Sequence, residues 1–384
     1  MKASTTFAIY MVMLAAACGG RVVVDAQGTG GNGGATSSGS TVESSSAMVS
    51  SSATSSSSSV SSSATSSSSA TSSSSATSSS SSASSSSVSS SSSASSSGTG
   101  GAGGGPVALA QLDHPYAVAL DAEYVYVSES FAQRVVKVPK TGGPVVALAD
   151  VTNPRFIAVD DTRVYVTGNV VNAAFLAAVP KSGGTATVIG AQVRCGELAT
   201  DATRVYCASG YEFKVRAFDK GSGTVTSLGN TSGWTRGVVV DDALVYWSAE
   251  ADASVGTLPK GGGMSNVLTT SKATGSSNLV GDATRLYWAA GSSSGIEVRS
   301  MDKAGGPVTV LTTDPTNGQV SMAVDDTYVY WANNESGVVN AIPKVGGPVT
   351  VIAVGQGMVG AVASDNAQVY WASYTNGQVM RFTW

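Results

Sequence analysis

A single histidine, His114, and three cysteines, Cys18, Cys195 and Cys207, supply all the imidazole and thiol chemistry in 384 residues. Their spacing matches no metal site, and neither a nucleophile elbow nor a phosphate-binding glycine loop is present, so no metal and no cofactor is expected. His114 lies in Leu112-Asp113-His114-Pro115-Tyr116, where a structural role is preferred to acid–base duty. A carboxylate pair of the glycoside-hydrolase kind needs no local motif, so that chemistry stays open. Arg155, Arg194 and Arg236 suit a carboxylate, sulfate or uronate ligand, because a guanidinium fork matches paired oxygens. Candidate neighbours for such a ligand nearest the channel mouth are His114, Trp234 and Asn278, with Glu129, Asn169, Tyr211, Glu212, Glu250, Asn333, Asn334 and Tyr374 further out.

Other chemistry-bearing residues recur at intervals. Aspartate stands at 121, 160, 201, 241, 282, 325 and 365, and tyrosine at 126, 165, 206, 246, 287, 330 and 370, each about 40 residues after the last. Lysine follows in Pro-Lys-x-Gly-Gly or a degenerate form at 140, 181, 220, 260, 303 and 344. One aspartate per repeat is too dispersed for a metal cage and reads as a turn cap. The lysine series could form an anion-binding ring, but its matched carboxylates favour a solvated, partly neutralised face.

A 40-residue period made of short strands is the pattern of propeller blades. In one unit, 320–324, 328–332, 337–342 and 348–352 read as four strands, A to D from the axis outward, and no segment has a helical period. The domain opens at residue 106 with a lone D-type strand and closes with A, B and C strands only, the last at 378–383. The expected fold is all-β, a seven-bladed β-propeller of four-stranded blades closed by its N-terminal strand. Closure removes the free sheet edges that invite aggregation. The Tyr and Trp of each Val-Tyr-Trp triplet alternate across strand B and are expected in the core between blades.

In such a meander the A-to-B and C-to-D turns share one face, which takes the Asp and Lys series. The other face takes the D-to-A connections and the dissimilar B-to-C loops SESFAQ, TGNVVNAA, SGYEFK, SAEADAS, AGSSSGIE, NNESGV and SYTNG. Dissimilar loops on a rigid scaffold are where binding is expected. Cys207 should lie opposite Leu198, which puts Cys195 out of register, so a disulfide between them is not expected unless Gly196 breaks the strand.

Residues 1–17 have one early Lys and an apolar run too short to span a bilayer, as in a signal peptide. Ala15-Ala16-Ala17-Cys18 resembles the lipobox of bacterial lipoproteins, which implies lipidation of Cys18; cleavage near Ala26 and secretion is the alternative. Gly19 after the cysteine, rather than Asp, suggests the outer membrane. Residues 36–97 are nearly pure Ser with scattered Ala, Thr and Val, and 18–105 as a whole has too little to bury and reads as a disordered tether spanning on the order of 50 Å. The Val-Tyr-Trp triplets after Ala-Val-Asp-Asp resemble the YWTD repeats of low-density-lipoprotein-receptor propellers and their NHL relatives. With the lipobox and Ser-rich tract, the Pro-Lys-x-Gly-Gly repeats resemble those of myxobacterial-type surface lipoproteins. The sequence departs from YWTD at Ala332-Asn333 and Ala372-Ser373, and receptor propellers have six blades, so their ligands do not carry over.

With 21 basic and 25 acidic residues, nothing points to nucleic acid. The expectation is a monomeric propeller held to the membrane by its lipid anchor only, which binds a protein or a glycan. The alternatives are an envelope assembly scaffold, and a lyase or glycoside hydrolase at the central channel. Streptogramin-inactivating propeller lyases are the nearest enzymatic resemblance, but their catalytic histidine has no motif counterpart here.

Overall fold

A computed structural model describes residues 104–170, 173–250, 253–270 and 278–384. The expected signal peptide, Cys18 and nearly all of the 18–105 linker lie outside the described residues. One 3-10 turn, Gly210–Glu212, is the only helical element among the described residues. The rest is seven four-stranded antiparallel sheets arranged as the blades of a ring. Blade 1 consists of Pro115–Leu120, Tyr124–Glu129, Arg134–Pro139 and Val146–Asp150. Blades 2 to 6 follow in sequence over residues 157–191, 198–230, 235–269, 279–314 and 320–353.

Blade 7 is composite. Val359–Ser364, Gln368–Ser373 and Gln378–Thr383 form strands A to C, and Val107–Gln111 pairs outside the last of them as strand D. The register runs from Val107 opposite Arg381 to Gln111 opposite Gln378. Chain entry and exit are thus joined in one sheet, as expected.

Strand B explains why the blades stack. Its side chains alternate, so Tyr and Trp from one triplet enter different clusters. Tyr206 shares a cluster with Trp247, Tyr246 with Trp288, Tyr287 with Trp331, and Tyr330 with Trp371, each tyrosine meeting the tryptophan of the next blade. Burying an aromatic ring contributes about 1.5–3 kcal/mol, so these pairs dominate blade adhesion. In blades 1 to 3 the tryptophan position holds Val127, Val166 and Cys207 instead.

The Asp and Lys series do share a face, but their pairing crosses blades. In each turn the aspartate Oδ1 accepts backbone N–H groups two and three residues on, and Oδ2 accepts the tyrosine hydroxyl of its own blade, as Asp160 does from Thr162, Arg163 and Tyr165. The lysine comes from the following blade: Lys181 to Asp121 at 2.8 Å and Lys220 to Asp160 at 2.6 Å, with Lys140 of blade 1 reaching Asp365 of blade 7. Each ammonium also lies over the neighbouring tyrosine ring, Lys220 being 5.2 Å from the Tyr165 centroid. Burial alone would raise the Asp160 carboxyl, but Lys220, the two backbone donors and Tyr165 outweigh it and hold it at about 2. Asp282 is held at about 2 in the same way, with Lys344 as its chief partner. Burial and the adjacent carboxylate push all seven tyrosine hydroxyls well above their ordinary 10.0. Among the described residues no lysine pairs with the Asp325 carboxylate, although Lys344 donates to its backbone C=O at 3.0 Å; there Trp384 stacks on Tyr328 at 4.3 Å and donates its indole N–H to the Tyr330 hydroxyl at 2.9 Å.

One expectation is overturned. Cys195 and Cys207 are bonded, with Cα atoms 5.4 Å apart. Cys207 does lie opposite Leu198, but the strand begins only at Leu198. Before it the chain folds back: Cys195 N–H donates to Val193 C=O, and Gly196 N–H to Ala208 C=O at 2.7 Å. That departure from the ladder at Gly196 brings Cys195 over its partner.

Candidate functional site

A cleft of about 310 Å³ lies on the loop face between blades 2, 3 and 4. Three D-to-A connections and two B-to-C loops build it. Arg155 precedes the A strand of blade 2, and its backbone N–H is held by Thr167 C=O at 2.8 Å. Arg194 comes from the folded-back segment that the Cys195–Cys207 bond pins down. Arg236 lies in Thr235–Val240, at a register shift of that strand. Tyr211 rides on the 3-10 turn, which Phe213 closes with φ 53° and an N–H bond to Gly210 C=O. Trp234 packs against that turn, 4.3 Å from the Tyr211 ring centroid. Any side chain at Gly210 would overlap its indole, so glycine is required by close approach.

The three guanidiniums are not equivalent. Arg236 donates to both oxygens of Glu250, at 2.9 and 3.2 Å, which neutralises it. Arg155 is half-buried, 5.3 Å from the Tyr116 ring centroid. Arg194 is exposed and lies 4.7 Å from the Tyr211 ring centroid, with no carboxylate partner among the described residues. The remaining lining includes Phe156, Thr167, Asn169, Val193 and Thr235, and among the described residues it contains no Asp or Glu. Such a wall can hold paired anionic oxygens against a cation-backed aromatic ring.

Arg155, Arg194, Arg236, Trp234, Tyr211 and Asn169 therefore converge, and the other expected residues do not line this cleft. His114 sits at the blade 7 to blade 1 junction, stacked on Phe131 at 4.0 Å, with Nδ1 2.7 Å from Asp113 Oδ1. Tyr374 is buried beside it, and burial pushes its hydroxyl up although the Arg155 guanidinium opposes this. Asn278 is buried and its amide donates to Glu197, tying the connections into blades 5 and 3 together. Asn333 is fully buried too: its amide N–H groups reach Thr316 and Asn317, and its oxygen accepts from Glu335 and Ser336. Both asparagines brace loops and present no amide to solvent. Glu129 is likewise buried between Arg134 and the Asp113 N–H, Glu212 pairs with Arg216, and Asn334 accepts from Gln319. Tyr116 beneath Arg155 and the cystine beneath Arg194 were not anticipated. Nothing in the local sequence marks the first, whereas Gly196 was the only hint of the second.

No group of three or more His, Cys, Asp or Glu suited to a metal occurs among the described residues. No protein-family model and no curated protein matches the sequence. Among solved structures the chain is similar to streptogramin B lyase, with TM-score 0.60 and 11% identity over 72% of this chain and 97% of that one. It is similar also to Kuenenia stuttgartiensis hydrazine synthase, with TM-score 0.61 and 16% identity over 71% and 96%. The computationally designed Ika8 protein matches with TM-score 0.52 and 14% identity over 70% and 83%. At these identities the similarity shows the β-propeller fold alone.

Proposed function

We propose that this chain is a lipid-anchored, extracytoplasmic binding protein that recognises an anionic group of a protein or glycan in the cleft between blades 2, 3 and 4. The observation that carries this reading is the lining: three guanidiniums, three aromatic rings (Phe156, Tyr211 and Trp234) and no carboxylate among the described residues, in a chain of net charge −4. Arg194 is the group with charge left to offer, since Arg236 is already chelated. The disulfide suits an oxidising compartment, and the lipobox-like Ala15–Cys18 supplies the anchor. Strand D runs from the face that carries the Asp–Tyr–Lys groups, the clasp face, to the loop face, so the strand begins at Val107 on the side opposite the cleft. A tether attached there leaves the cleft facing away from its point of attachment. An envelope scaffold role is the same reading with a protein ligand. A lyase or glycoside hydrolase needs an acid and a base at the site, and among the described residues the lining offers no His, Asp, Glu or free thiol.

The test titrates the purified full-length protein with polyglutamate, an oligogalacturonate and a neutral galacto-oligosaccharide. At least one anion should bind, weaken with added salt, and lose about tenfold in affinity in Arg194→Ala. Equal binding of the neutral sugar, or an inert Arg194→Ala, would refute the reading. Cys18→Ser should abolish incorporation of labelled fatty acid; retained label would rule out that anchor.

A further inference from the structure

The exposed apolar side chains of the loop face are unevenly distributed. Phe131 in blade 1 is 63% exposed, Val170 in blade 2 is 42%, and Tyr211 and Phe213 in blade 3 are 59% and 48%. The B-to-C loops of blades 4 to 7 expose no large hydrophobic side chain among the described residues. Elsewhere such side chains lie on outermost strands, on the clasp face or, for Val354, in one connection. The four belong to three adjacent blades bordering the cleft. Tyr211 lines it, Val170 follows the lining Asn169, and the Phe131 loop touches the residue before Arg155 through Ser130 Oγ, 3.4 Å from Pro154 C=O.

Phe213 adds a separate observation. It holds a left-handed backbone, φ 53°, in the residue immediately before strand C, where blades 6 and 7 place Gly337 and Gly377. A bulky residue there is strained, yet Phe213 remains half exposed, so its own burial does not compensate. Aromatic side chains together with arginine are the composition of a protein-interface core, and an acidic sugar has little use for Val170 and Phe213 beyond the cleft.

We propose that the ligand is a protein: an extended acidic segment whose carboxylates meet Arg194 and Arg155 while an aromatic or aliphatic side chain packs among Phe131, Val170 and Phe213. This rests on the anionic-cleft reading and narrows it to one class of partner. The test pans phage-displayed random dodecapeptides on the full-length protein and measures the enriched peptides by fluorescence polarisation beside polyglutamate and an oligogalacturonate. Enriched peptides should combine acids with an aromatic or aliphatic residue. They should lose about tenfold in affinity in Arg194→Ala, and by a similar factor in the triple variant F131S/V170S/F213S, whose exposed positions leave the melting temperature within a few degrees. Polyglutamate should respond to Arg194→Ala only. The proposal is overturned if the triple variant binds the peptides as well as the parent, if the peptides show no acid-plus-apolar pattern, or if the oligogalacturonate binds more tightly than any of them. If no anion of either class binds, the anionic cleft itself is wrong and this inference goes with it.

Discussion

At the residue scale, the cleft separates charge that is available from charge already satisfied. Arg236→Ala removes the fork that holds Glu250 and leaves a half-buried carboxylate, so it should cost about 1–3 kcal/mol of stability by denaturant titration. An unaltered midpoint would mean that the pair is loose in solution. Arg194→Ala removes no ion pair and should leave that midpoint in place while weakening anion binding. Cys195 and Cys207 make a sharper case. They stand only 12 positions apart in sequence, so the loop is short, and the bond should contribute about 2–4 kcal/mol, measurable as the shift between oxidised and reduced protein. Coincident unfolding curves would show that no bond forms. This pair was misjudged from sequence because register reasoning assumes a continuous strand, and the fold-back at Gly196 is a tertiary event. For Asn278 and Asn333 likewise, polar loop residues suggest exposure, and only packing reveals that both amides are buried in loop bracing.

At the scale of elements, the recurring unit is the clasp of an aspartate turn, its own tyrosine and a lysine from the next blade. Lys220→Met leaves Asp160 half-buried without its cation, and a loss of about 1–3 kcal/mol is expected. Tyr165→Phe should cost less, about 1 kcal/mol, since the carboxylate keeps its other donors. Equal, negligible effects in thermal melts would mean that the clasps ornament an interface held by aromatic packing alone. The clasps also set the response to pH. Asp160 and Asp282 lie at about 2 when folded, against an ordinary 3.8, so their contribution is complete above about pH 4 and is lost as pH falls through about 2. Acid unfolding should therefore begin below about pH 4, and the Lys220→Met protein should lose less stability across that window than the parent. For the tyrosines the sign is opposite: raised hydroxyls contribute fully below pH 10 and progressively less above it. An ultraviolet titration should show the clasp tyrosines, seven of the 13 in the chain, ionising only as the protein unfolds. Thirteen ionising together near pH 10 would contradict the clasp.

At the scale of the molecule, closure is the event on which the ring depends. Deleting 107–111 leaves Gln378–Thr383 as an uncovered edge in a three-stranded blade. The shortened protein should unfold less cooperatively and associate at lower concentrations than the parent, as read by light scattering. A monomer with an unchanged melting temperature would show that the N-terminal strand is dispensable. The same strand begins at Val107 on the clasp face, whereas the arginines and apolar loop tips gather on the other.

What the sequence by itself determined follows from local periodicity. Side-chain alternation in Tyr328–Asn333 and its siblings specifies strands buried on both faces, a 40-residue repeat specifies blades, and one leading and three trailing strands specify both their number and the manner of closure. The meander's geometry then places Arg155, Arg194 and Arg236 on one face, because all three fall where a D-to-A connection enters strand A, Arg155 and Arg236 at the same point of their repeats and Arg194 slightly earlier. Which of those guanidiniums is already matched, which loop residues face inward, that Lys220 answers Asp160 of another blade, and that Cys195 reaches Cys207 were decided only by tertiary structure. Each depends on contacts between residues far apart in the chain or off the regular ladder, and the local pattern carries no record of them.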